Sequence, residues 1–155
     1  MADVHTPATR SKNMRAIKAR ETRPELLIRK SLHAVGLRYK LHDKSLPGVP
    51  DLVFPKHRAV VFVHGCFWHV HGCQYSKMPK TRAEFWGEKL SHNRDRDRRV
   101  CSTLLGSGWR VGIVWECAVH GPSSDLTLAA NTVANWLRGR QSTLESPAGV
   151  ALSSV

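Results

Sequence analysis

Long apolar runs and acidic residues are both scarce in this sequence, and each shortage narrows what the protein can be. No stretch approaches the roughly 18 consecutive apolar residues that a membrane-spanning helix needs. The first five residues, Met-Ala-Asp-Val-His, lack the apolar core of a secretory signal. These absences predict a cytoplasmic protein with no membrane partner. Its four cysteines are then expected to be thiols or metal ligands rather than disulfides.

The shortage of acidic residues leaves the chain strongly basic. Asp and Glu total 12 against 24 Lys and Arg, which gives a formal net charge of +12 and a pI near 10.2. Charge of this size does not decide the fold, but it favours an anionic partner such as nucleic acid. At 155 residues the chain is long enough for one domain with a full core, and it contains no internal repeat.

Hydrophobic patterning predicts one mixed α/β sheet flanked by helices. Thr22 and Glu25 bracket a capping box that opens a helix ending near Gly36, so Glu25 already has a structural explanation. A second capping box at Thr81 opens a long helix, and a last helix covers about 124–137. Strands are expected at 37–41, 51–54, 59–63 and 109–115. The 51–54 and 59–63 segments should form an antiparallel hairpin.

The two ends of the chain differ from its centre. Residues 8–20 predict a short basic helix that includes Lys12 and Arg15, with Met14 and Ile17 on one side. Such a helix is either a solvated surface helix or a DNA-clamping arm with basic side chains on phosphates. Residues 139–155 are aperiodic and carry Ser, Gly and Pro, which predicts a disordered tail. The expected domain therefore spans residues 1–138.

A loop crowded with histidine, cysteine and aromatic residues follows the strand that ends at Val63. Four residues make a Cys₃His set that suits a structural Zn²⁺: Cys66, His71, Cys73 and Cys117. The alternative is a set of buried free thiols beside unrelated histidines. That alternative fits Cys101, which lies on the core stripe of a helix. The Cys-x4-His-x-Cys spacing is not a common zinc-finger pattern, so the spacing alone leaves both interpretations open.

If that set binds zinc, His64 and His69 remain for chemistry, and Asp51 is expected at the same end of the hairpin. An aspartate can hold Mg²⁺, while one imidazole deprotonates water and a second protonates a leaving group. A run of charged residues on a helix is by default a solvated face, but Asn93, Asp97 and Val100 recur every three to four residues, a spacing that would place Asp97 on the side nearest the sheet. The plain alternative is that Asp51 caps a turn and the histidines lie on the surface. Together, in so basic a chain, these residues favour phosphodiester hydrolysis.

Phe67 and Trp68 are two large adjacent aromatics within the same loop. Exposed aromatics beside basic residues suit stacking on bases or wedging between them. Trp86 either joins them from the next helix or packs in the core. Two other functions stay open from the residues alone. One is a zinc-stabilised DNA-binding module without catalysis, and the other is a hydrolase with His64, His69 and His71 around a catalytic zinc.

Five segments, in order, resemble the very short patch repair (Vsr) endonucleases. They are 8–14 (ATRSKNM), 46–51 (LPGVPD), 64–69 (HGCFWH), 81–86 (TRAEFW) and 108–117 (GWRVGIVWEC), and the resemblance runs from about residue 2 to about 120. It implies an enzyme that nicks DNA 5′ to the T of T:G mismatches left by 5-methylcytosine deamination, using Mg²⁺. It also implies a restriction-endonuclease-like PD-(D/E)XK core of αβββαβ order, in which Phe62-Val63-His64 replaces the usual Glu-x-Lys.

The resemblance also implies a role for each matching residue. Catalysis and magnesium binding would involve Asp51, the backbone carbonyl of Val63, His69, His64, Glu25 and Asp97. Zinc would be held by Cys66, His71, Cys73 and Cys117. DNA would be contacted by Phe67, Trp68, Trp86, Met14, Arg15 and Lys12. The expected setting is a monomer at the bacterial nucleoid, with mismatched double-stranded DNA as substrate and other mismatch-repair proteins as further partners.

Overall fold

The computed structural model describes residues 21–73, 76–121 and 124–147. Its centre is a five-stranded mixed sheet whose spatial order follows the chain order. Strands β1 to β3 pair antiparallel, whereas β3, β4 and β5 run parallel. The strands are β1 (Lys40–Leu41), β2 (Leu52–Phe54), β3 (Ala59–His64), β4 (Arg110–Trp115) and β5 (Thr143–Ser146). The predicted mixed α/β sheet is therefore confirmed.

Helices cover both faces of the sheet. They are α1 (Arg23–Ala34), α2 (Ala83–Gly106), α3 (Glu116–Val119) and α4 (Leu126–Arg138). One apolar cluster joins α1 and α4 to the sheet, with Ile28, Val61 and Val133 at its centre. A second cluster joins α2 to the opposite face through Phe62 and Leu104. Strand β3 is buried on both faces, as its continuous apolar run predicts.

The two predicted capping boxes have different outcomes. Thr22 is the N-cap of α1, and its hydroxyl accepts a hydrogen bond from the Glu25 backbone N–H at 3.4 Å. The Thr81 box is wrong, because the cap of α2 is Arg82 and its side chain makes no capping hydrogen bond. Arg82 has a φ of 56° and its guanidinium lies 4.3 Å from the Phe85 ring centre. The helix therefore starts one residue later than predicted, and this cation–π contact lies at its first turn.

The hairpin of β2 and β3 places the site. A 3₁₀ turn at Pro55–His57 and the left-handed Arg58 reverse the chain between the two strands. The register pairs Leu52 with Val61, so Asp51 lies beside the C-terminal end of β3. The Val63 backbone N–H donates to Asp51 Oδ2 at 2.8 Å. The prediction that Asp51 and the end of β3 lie at the same end of the sheet is confirmed.

The structure corrects the expected disordered tail at residues 139–155. Residues 143–146 form β5, which extends the parallel part of the sheet. Backbone hydrogen bonds to β4 hold this segment in place, although its sequence has no apolar periodicity. The first of them runs from the Val111 N–H to the Ser142 carbonyl at 2.9 Å. The ordered region therefore extends past the predicted boundary at residue 138.

The first strand is also shorter than the predicted 37–41, because Leu37 packs into the core beside α1.

Several expectations fall outside the described residues. The basic helix at 8–20, with Lys12, Met14 and Arg15, lies there, as do residues 148–155 of the predicted tail. Within the described ranges, no helix combines the length and the apolar character that crossing a membrane requires.

Candidate functional site

Three clusters of side chains that could bind metal lie at the C-terminal end of β3. In each cluster the ligand atoms lie within 4.8 Å of one another. We call them the sulfur cluster (Cys66, His71, Cys73, Cys117), the imidazole cluster (His64, His69, Asp97) and the carboxylate cluster (Glu25, His42, Asp51). The loop after β3 contributes to the first two, and the start of β2 contributes to the third.

The sulfur cluster has the donor set of a closed zinc site. Cys66 is fully buried, and the His71 Nδ1 atom lies 3.5 Å from the Cys117 sulfur. The Cys66 carbonyl accepts hydrogen bonds from the His71 backbone N–H at 3.0 Å and from the Ser76 hydroxyl at 2.8 Å, which fixes the loop. Three sulfurs and one imidazole at this spacing fit tetrahedral Zn²⁺, whose Zn–S bonds measure about 2.3 Å.

Burial changes the acidity of the sulfur cluster. It raises the pKa of the Cys66 thiol above its ordinary value, and it also raises the pKa of Cys117. Burial lowers the pKa of His71. Thiolates are the metal-binding form of cysteine, so a bound cation must offset the cost of deprotonating these buried groups. Metal binding at this cluster should therefore release protons and weaken in acid.

The carboxylate cluster offers oxygen donors. Glu25 is only 1% exposed, and its Oε2 atom accepts from the Arg29 guanidinium at 2.9 Å. Burial raises the pKa of Asp51 to about 7, and the negative charge of Glu25 adds to that effect. The hydrogen bond from the Val63 N–H acts in the opposite direction. A buried and a half-buried carboxylate held together are a suitable site for a hard divalent cation.

His42 is the member of this cluster that the sequence did not reveal. Its Nε2 atom lies 2.9 Å from Glu25 Oε1, and its backbone N–H donates to the Asp51 carbonyl at 3.2 Å. The residue has a left-handed backbone with a φ of 46°, which is uncommon outside glycine. In the sequence, His42 is marked only by its position directly after β1. That position places it beside Asp51 only once the β1–β2 register is known.

The imidazole cluster is a stacked pair held by a carboxylate. The rings of His64 and His69 have centres 3.7 Å apart and are tilted by only 4°. His69 Nδ1 lies 2.5 Å from Asp97 Oδ2, an arrangement that favours a proton on Nδ1 and leaves Nε2 as an acceptor. Burial lowers the pKa of His64 well below its ordinary value, and positive charge on the neighbouring His69 or on Arg96 lowers it further. His64 is thus a neutral imidazole beside an oriented one.

The predicted aromatic residues come together beside these clusters. Phe67, Trp68 and Trp86 have ring centres 5.0 to 5.7 Å apart, and all three are half-buried. The Asn93 side chain donates to the Trp68 carbonyl at 3.1 Å, which ties the loop to α2. Trp86 therefore packs with the loop aromatics rather than in the main core. Cys101, on the sheet-facing side of α2, is buried and is not a member of the sulfur cluster, as its position on the core stripe predicts.

Comparisons with known proteins identify the family. A family model described as "DNA mismatch endonuclease Vsr" matches residues 2–75. The DNA mismatch endonuclease Vsr of Escherichia coli K12 is 55% identical over 121 residues, which is 78% of each chain. The chain belongs to the Vsr family. The type II nicking enzyme V.XorIIP of Xanthomonas oryzae pv. oryzae is 48% identical over 117 residues, which cover 76% of this chain and 86% of that one. V.NmeAIP of Neisseria meningitidis is 44% identical, with 76% and 84% covered.

The Vsr family match covers only part of the site. Residues 2–75 include Asp51, the β3 strand and the loop that carries three members of the sulfur cluster. Trp86, Asp97 and Cys117 lie beyond it and are brought to the same place by α2 and by α3, which directly follows β4. The geometry therefore joins residues from both halves of the chain.

Proposed function

We propose that this Vsr-family chain is a Mg²⁺-dependent endonuclease that nicks one strand of duplex DNA 5′ to the T of a T:G mismatch. Such mismatches arise when 5-methylcytosine deaminates, and the nick would start very short patch repair. The observation that carries the proposal is the meeting of the carboxylate cluster, the imidazole cluster and the aromatic group at one end of β3. The family membership and the names of its relatives support the coarser part of the proposal, a DNA mismatch nicking endonuclease.

Asp51 and the backbone carbonyl of Val63 would hold the magnesium, with Glu25 supporting Asp51 from α1. Bound magnesium would neutralise charge on a phosphate oxygen and orient it. Glu25 is itself fixed by Arg29 and His42, so its carboxylate has little freedom to move away from Asp51. The backbone hydrogen bond from Val63 to Asp51 keeps the two proposed ligands on adjacent strands aligned.

His69 would accept a proton from the attacking water or contact the scissile phosphate. Asp97 keeps its ring in one orientation, with Nε2 free to act as the base. His64 packs flat against that ring, and its burial keeps it uncharged. A neutral neighbour avoids charge repulsion when His69 takes up a proton.

The sulfur cluster would hold a structural zinc that fixes the loop after β3. The alternative of a catalytic zinc bound by His64, His69 and His71 has less support. His71 Nδ1 faces the Cys117 sulfur, whereas His64 and His69 stack on each other and meet Asp97. The zinc would therefore act through the shape of the loop, which carries His69 and the aromatic pair Phe67 and Trp68.

The aromatic group would enter the DNA beside the mismatch. Phe67, Trp68 and Trp86 form a half-exposed surface on a basic chain, and Lys89 Nζ lies 5.9 Å from the Trp68 ring centre. Aromatic side chains that separate base steps kink the duplex, which costs less at a mispair. We propose that the N-terminal segment, with Lys12, Met14 and Arg15, presses from the opposite groove. We also propose a restriction-endonuclease-like fold, a single nuclease domain and a cytoplasmic monomer.

A nicking assay tests the proposal. Duplexes that differ only in one pair, T:G, T:A or C:G, are labelled on each strand in turn and incubated with protein and Mg²⁺. We expect one product, from the T strand of the T:G duplex, cut 5′ to that T. A zinc-stabilised DNA-binding module without catalysis would instead bind the duplexes and leave all strands intact under every metal tested.

A further inference from the structure

The C-terminal strand contributes an acid that contacts the site. Glu145 lies in β5, and its Oε1 atom accepts a hydrogen bond from the Trp115 indole N–H at 2.8 Å. The register pairs Glu145 with Ile113 of β4. Trp115 follows Ile113 by two residues and so points to the same face of the sheet. The Glu145 carboxylate on β5 thus reaches the Trp115 indole on the adjacent strand β4.

Trp115 contacts histidines of two clusters at once. Its ring stacks on His71 of the sulfur cluster, with centres 4.2 Å apart and planes 13° apart. It also meets His64 of the imidazole cluster edge-on, with centres 5.3 Å apart. Trp115 is only 2% exposed, and a buried indole N–H needs an acceptor. Its bond to Glu145 therefore fixes the orientation of a ring that both histidines touch.

These side chains line one small cavity. Its volume is about 40 Å³, and its lining includes His64, His69, His71, Asp97, Trp115 and Glu145. Glu145 therefore lies beside the imidazoles of both clusters as well as beside the indole.

We propose that Glu145 is a positioning residue for nicking, which fixes the Trp115 indole and thereby the imidazoles of His64 and His71. The proposal rests on the proposed function, because that function places His64 beside the reacting groups. Without an acceptor, the buried indole N–H is left unpaired, which favours a shift of the ring. Both histidines contact that ring, so both should move with it. The role requires an acceptor oxygen at the right reach and does not require the negative charge.

Three variants of the full chain separate these requirements. Glu145→Met removes the acceptor while keeping the side-chain length, and Glu145→Gln keeps an acceptor oxygen while removing the charge. Thr143→Ala is the matched control, since Thr143 lies two residues earlier on the same face of β5. Each protein is measured for single-turnover nicking of a T:G duplex, for binding to that duplex, and for the ¹⁵N–¹H signals of its histidine side chains.

We expect Glu145→Met to slow nicking by about tenfold or more, the usual effect of losing a partner that orients a ligand, with DNA binding unchanged. The His64 and His71 signals should shift in the same variant. Glu145→Gln and Thr143→Ala should match the wild type in all three measurements. If Glu145→Met does not fold, Glu145→Asp should show the same slowing and the same shifts, because it shortens the reach by one methylene.

The proposal is overturned if the variant lacking the acceptor nicks at the wild-type rate or leaves the histidine signals in place. It is also overturned if Glu145→Gln is as slow as Glu145→Met, since charge rather than the hydrogen bond would then matter. A wild type that nicks none of the mismatched duplexes refutes the proposed function. In that case the histidine signals still decide whether Glu145 positions these rings.

Discussion

The sulfur cluster and the carboxylate cluster lie at the same end of β3, yet their chemistry differs. The sulfur cluster has three soft sulfur donors and one imidazole, and its loop is fixed by hydrogen bonds to the Cys66 carbonyl. The carboxylate cluster offers hard oxygen donors, and burial raises the pKa of Asp51 to about 7. Closed sets of thiolate and imidazole suit structural zinc, whereas carboxylates beside open positions suit magnesium. One cluster is thus suited to stability and the other to reaction.

The largest effect should come from Asp51→Asn. We expect the single-turnover nicking rate on a T:G duplex to fall by about 10⁴-fold, because the proposed magnesium site loses a charged ligand. Zinc content, measured by elemental analysis, should stay at the wild-type level. A variant that loses zinc together with activity would show that the two clusters do not have separate roles.

Removing a ligand of the sulfur cluster should instead reduce stability and zinc content. Cys117→Ala should lower the free energy of unfolding by about 3 kcal/mol and reduce the zinc content, because metal binding is coupled to folding. Cys101→Ala is the control, since it removes a buried thiol outside the cluster and should cost only about 1 kcal/mol. Urea unfolding followed by circular dichroism measures both. Equal losses in the two variants would contradict a structural role for the cluster.

The aromatic group tests whether the loop shaped by the sulfur cluster meets DNA. Trp86→Ala should weaken binding to a T:G duplex by about tenfold, the effect of losing one stacked base contact. Trp109→Ala serves as a control, because Trp109 lies at the far end of β4, where Arg58 packs over its ring. Fluorescence anisotropy at fixed salt gives both affinities. Equal weakening would mean that Trp86 contributes no specific DNA contact.

The smallest effect concerns stability without magnesium. The folded pKa of Asp51, about 7, lies above its ordinary value of 3.8, so the folded state holds that proton more tightly than the unfolded state. The cost of the buried charge is absent below the ordinary value, grows as pH rises, and is complete above the folded value. Asp51→Asn should therefore stabilise the zinc-loaded, magnesium-free protein by about 1 kcal/mol at pH 8 and by less at pH 5.5.

Urea unfolding at the two pH values measures that difference. Asp43→Asn is the control, because hydrogen bonds from Ser45 lower the pKa of this exposed carboxyl and its removal should give no stabilisation. A gain for Asp51→Asn that is larger at pH 5.5 than at pH 8 would contradict the assignment of a buried carboxylate with a raised pKa.

Sequence patterns predicted the part of the site that depends on local order. The turn between β2 and β3 and their apolar runs placed Asp51 beside the end of β3, and the presence of Cys66, His71 and Cys73 in one loop suggested the sulfur cluster. Helical periodicity placed Asp97 on the side of α2 nearest the sheet, where it meets His69. These signals are readable because each depends on neighbours along the chain.

The remaining residues depend on contacts between distant segments. His42 joins the site through the register of β1 with β2, and β1 is only two residues long. Glu145 joins it because β5 pairs with β4, although the segment around it has no apolar periodicity and was expected to be disordered. Backbone hydrogen bonding between strands leaves little trace in hydrophobic patterning, so these two residues could not be predicted.

The central claim is that zinc stabilises the loop after β3 while magnesium serves the reaction. The most direct test titrates Mg²⁺ into zinc-loaded protein and follows nicking of the T:G duplex together with zinc content. The account predicts no nicking without Mg²⁺, saturable nicking with it, and a constant single zinc per chain. Nicking that follows the zinc content in the absence of Mg²⁺ would contradict it.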